Sequence, residues 1–580
     1  MIGRRSPQRG LFEADNLFLD DVGRDTFYGF LASQRGTLFH DDDFSELYCP
    51  DNGRNSVPPS IVATALLLQT FERVSDEEAA QRAHFDLRWK VALGIGVREQ
   101  PFCKSTLQLF RAQLVLHQGM RDIFQRSVDF ARETGYLRKR KIKLALDTSF
   151  IRGKGAAKDA YNLLADGIVK LAKALASEER QGAADWAKAQ GLGRYFGSSL
   201  KGEAAIDWED ESAREAFLRE VVGDADRVLE MARQAVQRCA GTAQERVLRE
   251  AADLLTQLLL QNIDRQPDGA AIKAGVSPDR IVSVHDPEMR HGRKSRSQRF
   301  DGHKVGLGVD SETQMILAVT VLAGNAPDNE QALALVEQSE RSAGAEVEET
   351  IADCAYGDGE TRQAFADAGR PLIARVPKRP KQRCFPKEDF AIDLTEKSCR
   401  CPAGNVTTKL GRRGRRRDRQ GKIVELYAFR FPAALCDACP LRDLCVKGKR
   451  GQGRSVSLHP QEALLQEARA LQASAAYAPY RVLRQSAEHR LARIVQLGGR
   501  KARYFGRTKT LFQVLMAATV ANLTLVARAT GLMRAPSRGG IPLCSHFTFV
   551  LGWLQALWRR LSAATSLPSA ENRPEMALLG

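Results

Sequence analysis

KIKLALDTSF, residues 141–150, is a short apolar run that reaches an acid, Asp147. A run of that length and composition reads as a buried strand ending in Asp147. Strand character returns in HKVGLGVD (303–310) and MILAVTVLAGN (315–325), where apolar and β-branched residues cluster. A helix follows over DNEQALALVEQSERSAG (328–344), then a strand in VEETIADCAYGDGE (347–360) that ends in Asp353, and a last strand in PLIARVP (371–377). Three strands, a helix, a strand, a helix and a strand describe a mixed α/β sheet with helices packed against it.

Between the first and second of these strands the chain leaves for more than a hundred residues of acidic, helix-rich sequence, such as ESAREAFLREVVGDADRVLEMARQAVQRC (211–239). This stretch, 155–275, is an insertion. Upstream, SVPPSIVATALLLQTFERV (56–74) has prolines suited to a first turn, Ser75 and Glu78 form a capping box, and a third helix starts near Ser105. Short helices in such a series suit DNA binding and suit plain core packing. At 580 residues the chain exceeds one ordinary core. The division expected is a helical unit over 1–135, an α/β unit over 136–530 interrupted at 155–275 and 380–455, and a tail over 531–580. IPLCSHFTFVLGWLQALW (541–558) in that tail reads as a helix packing on the body or on a partner. The N-terminal residues carry no signal-peptide pattern, so a cytoplasmic, nucleoid-associated location is expected.

The net charge of +17 is concentrated in two places. Residues 400–454 carry 15 Lys/Arg against four acids, and residues 481–509 carry nine against Glu488 alone. Cation density of this kind favours a phosphate-backbone partner. GRRGRRRDRQGK (411–422) also reads as a solvated linker, and the basic stretch 285–304 as either a DNA contact or a solvated loop. In YAPYRVLRQSAEHRLARIVQLGG (477–499), a helix sets Arg481, Arg484 and Glu488 on one stripe, with His489 about 100° away. A carboxylate facing DNA phosphate is repulsive unless a cation lies between them, which points to a divalent metal.

Asp147 and Asp353 each follow an apolar strand and can converge if those strands are neighbours. With Glu488 they offer an oxygen-rich site for Mg²⁺ or Mn²⁺. Two such ions about 3.5 to 4 Å apart stabilise both attacking and leaving oxygens of an in-line displacement at phosphorus.

LALDTS, TIADCAYGDGE and YRVLRQSAEHRLAR, with GNAPDNEQALALVE between the first two, resemble the DDE transposases of bacterial insertion sequences over about residues 56–530. The resemblance implies a ribonuclease H-like catalytic fold preceded by a helical domain, over 1–135, that binds the DNA ends. It also implies Asp147, Asp353 and Glu488 as the metal-binding triad, and Asn325 and Tyr356 as supporting residues. In many relatives the third acid lies in a pattern of Tyr, two residues, Arg, three residues, Glu, six residues, Lys. Here Arg484 and Glu488 keep that pattern, while Arg481 stands at the Tyr position and Val495 at the Lys position. Tyr477 or Tyr480, and Arg493 or RKARYFGRTK, are the candidates to substitute. DNA contacts are expected from Arg481, Arg484, Arg493, Arg503 and Lys509. The partners implied are terminal inverted repeats, target DNA and a second copy or more of the chain. The rival functions are a nuclease on the same fold and a non-enzymatic DNA-binding protein derived from a transposase.

Five of the eleven cysteines cluster: Cys399 and Cys401, then Cys436, Cys439 and Cys445. Four thiolates satisfy tetrahedral Zn²⁺, and the preferred set is Cys401, Cys436, Cys439 and Cys445; free thiols and a redox role are the alternatives. Cys399 is two residues from Cys401, and either can supply the fourth ligand.

Overall fold

The computed structural model describes residues 1–6, 13–377 except 139, 268, 276 and 296, and 384–534 except 420. Five strands build the body of the central sheet: β1 (Lys141–Arg152), β2 (Arg299–Asp310), β3 (Ile316–Ala323), β4 (Glu346–Ala352) and β5 (Leu372–Ala374). They lie in the order β3, β2, β1, β4, β5, and a short sixth strand, Arg290–Arg293, pairs with the start of β2. The first three are antiparallel neighbours, and the β1–β4 and β4–β5 pairs are parallel. This is the mixed α/β sheet expected, consistent with a ribonuclease H-like fold. Leu144, Ala145 and Leu146 are all fully buried in succession, so β1 is covered on both faces.

The α/β unit also contains the helices α1 (Ala332–Ala343), α2 (Gly359–Asp367), α3 (Ala478–Ile494) and α4 (Arg507–Ala529). α3 crosses β1, β2 and β4, and α4 packs on β3 and on the N-terminal helices Pro59–Glu72 and Met120–Glu133. α4 is long and apolar enough to cross a membrane, with a mean hydropathy of 1.7, but 83% of that window is buried inside the fold. It is a core helix.

One apolar core runs from Phe27 and Phe30 through β1, β2 and β3 to Val526 in α4. The boundary expected near residue 135 therefore cuts across a continuous core. The helical insertion has a separate core, from Tyr161 to Val284, and its entry and exit are tied where the Lys158 N–H donates to the Val282 carbonyl at 3.1 Å. The Cys-rich segment has a third, small core of Phe390, Cys399, Phe429, Phe431 and Val456. Its basic run is no linker. Residues Leu410–Arg417 form a strand paired with Ile423–Arg430, and Arg416 reaches Glu360 on α2 at 2.8 Å. The Ser75–Glu78 capping box is present at the start of the helix Asp76–Phe85. Residues 541–558 lie outside the described residues.

Fully buried Asn522 of α4 joins three parts of the main core. Its Oδ1 accepts from the Ile316 N–H at 3.0 Å, and its Nδ2 donates to the Ile316 carbonyl at 2.8 Å and to Ser127 Oγ at 3.3 Å. Those backbone groups begin β3, where, among the described residues, no other strand continues the ladder. Asn522→Leu keeps the volume and strands both groups, so it should cost about 2–4 kcal/mol. Denaturant unfolding checks this, and an unchanged midpoint would show that Asn522 is not a stabilising tie.

Candidate active site

The parallel β1–β4 ladder pairs Ala145 with Ile351. Asp147 and Asp353 each lie two residues further on, so the register sets them abreast and on the same face of their strands. Asp147 does not end β1, contrary to what its apolar run suggests. β2 keeps pairing with β1, with Asp147 opposite Leu307, and the strand continues to Arg152. β4, by contrast, stops at Ala352 and turns into the short helix Cys354–Tyr356. Asp147 therefore borders the gap that β4 leaves. Its Oδ1 accepts from the Thr148 N–H at 2.8 Å, and Asp353 Oδ1 accepts from the Ala355 N–H at 2.8 Å.

Glu488 projects from α3, its side chain 46% exposed, and accepts from Arg484 Nη1 at 2.7 Å one turn earlier. All three carboxylates act on one another. Burial pushes Asp147 up to about 7; its Thr148 hydrogen bond and Arg484 oppose that shift, while Asp353 and Glu488 add to it. Asp353 is raised for the same leading reason, with Asp328 and Glu488 adding and Arg484 opposing. Asp328, which precedes α1, was not singled out from the sequence, because DNEQ reads there as a helix start. Its carboxylate is held by Lys304 Nζ at 2.8 Å. Tyr356 is fully buried, and burial together with Asp147, Asp328 and Asp353 holds its phenol well above the usual range, so it stays protonated.

The other expected site residues divide. Asn325 is exposed and donates to the Pro278 carbonyl at 2.7 Å, tying its turn to the end of the insertion. Buried Asn329 instead braces α2, donating to Asp358 at 2.6 Å and Thr361 at 2.7 Å. Arg481 is exposed over the Tyr477 ring at 5.8 Å, and Lys509 is exposed at the start of α4. Arg493 is half-buried and donates to Gln496 at 3.2 Å. Arg503 is spent inside the molecule, on the Val74 carbonyl at 2.7 Å and Asp76 at 3.2 Å. Asp76 also takes Arg111 at 2.7 Å, which covers the Tyr504 ring.

Cys401, Cys436, Cys439 and Cys445 line one cavity of about 20 Å³, room for a single small occupant. Cys399 faces the apolar core behind it, where burial pushes its thiol up to about 11. The Arg454 N–H donates to Cys436 Sγ at 3.3 Å. Among the described residues, no group of three or more His, Cys, Asp or Glu stands at metal-holding spacing. A cavity of about 740 Å³ lies between α1, α2 and the basic hairpin, away from the three carboxylates.

Residues 400–527 match the family model described as a transposase DDE domain. Residues 24–113 match a transposase domain of the DUF772 type. Both matches support one family, the DDE-type insertion-sequence transposases. Transposases act on DNA, and the DDE domain brings with it a nuclease or transposase class of activity. The DDE match takes in the cysteine cavity, Glu488 and most of α4, while Asp147 and Asp353 lie outside both matched segments. No curated protein matches the chain.

An Asp held at about 7 in the fold, against an ordinary 3.8, binds a proton more tightly folded than unfolded. Its cost is absent below about pH 4, grows as the unfolded chain ionises first, and is complete above about pH 7. In metal-free protein, Asp147→Asn should therefore raise stability near pH 8 by up to about 4 kcal/mol and change it little near pH 4. Thermal unfolding at the two pH values checks this, and equal effects at both would remove the electrostatic account of Asp147.

Proposed function

We propose that the chain cleaves the ends of an insertion sequence and joins them to target DNA by metal-dependent displacement at phosphorus. The observation that carries this is the β1–β4 register, which sets Asp147 and Asp353 abreast, with Glu488 of α3 inside their field. Asp147, Asp353 and Glu488 come from three elements and act on one another without standing at ligand spacing, and closing on a hard divalent cation would make them its donor set. In this reading Asp147, Asp353 and Glu488 hold Mg²⁺ or Mn²⁺, which when bound activates water and stabilises charge on the phosphoryl oxygens.

The chain's own residues do the rest. Thr148 and Ala355 fix the two aspartates through backbone N–H groups, and Tyr356 keeps its proton beneath them. Arg481, Arg484 and Lys509 supply cations for phosphate. Water attacks the phosphodiester at an element end and frees a 3′-hydroxyl, which then attacks a target phosphodiester in a second in-line step. Concerted joining of two ends calls for a dimer or larger assembly on DNA. Cys401, Cys436, Cys439 and Cys445 line one cavity without standing at ligand spacing, and closing of their thiolates on a structural Zn²⁺ would complete a tetrahedral set there. The rival non-catalytic DNA-binding reading draws on one observation, the Arg484–Glu488 ion pair, which occupies the third carboxylate.

Labelled DNA carrying the inverted repeats that flank the gene, incubated with protein and Mg²⁺, separates the readings. Joined products are expected; cuts alone would indicate a nuclease, and neither would indicate a binding protein. Asp353→Asn and Glu488→Gln should each abolish cleavage while DNA binding is retained or strengthened, because a charge that repels phosphate is gone. Persistent Mg²⁺-dependent cleavage by Asp353→Asn would sink the triad. Metal analysis should find about one Zn²⁺ per chain, lost in the Cys436→Ser, Cys439→Ser double variant; zinc-free protein with fully reactive thiols would refute the structural site.

A further inference from the structure

Past Asp147, β1 leads into a row of cations that the carboxylate site does not use. The next residue on the Asp147 face is Ser149. Arg500 Nη1 donates to Ser149 Oγ and to the Phe150 carbonyl, each at 3.2 Å, and its guanidinium covers the Phe150 ring at 4.3 Å. The segment after Arg500 then runs beside β1. Arg152 N–H donates to the Arg500 carbonyl at 3.0 Å and Ala502 N–H donates to the Arg152 carbonyl at 2.7 Å, so exposed Arg152 and Lys501 stand side by side. The row ends on Phe505, 39% exposed, with Lys154 Nζ 4.9 Å from its ring centroid and the His285 ring 6.2 Å away. Glu288, a carboxylate at this end, is taken up by Arg507 through its N–H at 2.7 Å and Nε at 2.9 Å.

Cations in a row that end on an exposed aromatic ring suit single-stranded nucleic acid, whose phosphates follow the charges and whose bases stack on the ring. A paired duplex hides every base face except that of its terminal pair, so it gains less from such a ring than an unpaired strand. The five residue steps from Asp147 to Arg152 span about 17 Å of extended strand; Arg152 faces the side opposite Asp147, and Arg500, which touches both Ser149 and Phe150, carries the row around the strand and away from the carboxylates.

We propose that this track binds an unpaired DNA end emerging from the carboxylate site, with Phe505 as the stacking platform for a base and Arg500, Arg152, Lys501 and Lys154 along the phosphates. It rests on the DNA-transposase reading. The test uses the full chain in EDTA, so that binding is read without cleavage, with two probes: a blunt duplex and the same duplex carrying a short oligothymidine extension. The expected result is tighter binding of the extended probe. Phe505→Ala should lose that advantage by roughly 5- to 100-fold with the blunt duplex unaffected, and Phe505→Trp should keep it. Lys154→Ala should lower the salt slope on the extended probe by about 0.7. A Phe505→Ala variant that binds both probes like wild type, or weakens both equally, would overturn the track. Wild-type protein that binds neither probe would overturn the transposase reading itself.

Discussion

The proposed chemistry of this chain hangs on where one strand stops. β1 and β4 run parallel in a fixed register, and β4 leaves the sheet immediately before Asp353 while β2 holds β1 straight past Asp147. The result is a notch with an acid on either side, each fixed by a backbone N–H, and a third acid on the helix that crosses it. Shifting the β1–β4 register by one residue would send one aspartate to the opposite face. The apolar pattern of the sheet, which fixes that register, is therefore as necessary to the site as the carboxylates.

Much of this was legible in the residues. The order of strands and helices followed from apolar runs and their lengths; Asp147 and Asp353 are proposed from their places after apolar strands, and Glu488 from its isolation among cations. What escaped was decided by long-range partners. The continuation of β1 through DTSFIR depends on β2, more than a hundred residues away, and those polar residues alone suggest a turn. Arg503 looked like one more cation in a basic stretch, because counting charges cannot show that Asp76 and the Val74 carbonyl, far upstream, claim it. Spacing left Cys399 and Cys401 open as ligands. The end of the strand separates them: Cys399 lies within Ser398–Arg400 and is buried in the core, whereas Cys401 lies beyond the strand's last residue and lines the cavity. The basic run 411–422 has no apolar alternation of its own and owes its strand to pairing with IVELYAFR.

The continuous core has a mechanical meaning as well. Helices at the N-terminus share apolar contacts with the sheet and with α4, and Asn522 and the Asp76–Arg111–Arg503 cluster add polar ties across the same junction. The segment that follows the Glu488 helix is thus anchored on the N-terminal helices. Whatever those helices grip is held in a set relation to the carboxylates, without a flexible linker to average it out.

The helical insertion is built on the opposite plan. It has its own core, and its two ends meet at Lys158 and Val282 before the chain resumes the sheet. To the sheet, more than a hundred residues therefore count as a single closed turn between β1 and β2. Loop-closure cost rises only slowly with length, so this guest can be enlarged, pared down or exchanged over evolutionary time while the notch beside Asp147 stays as it is. A change of length inside the insertion need not move the strands that flank the notch.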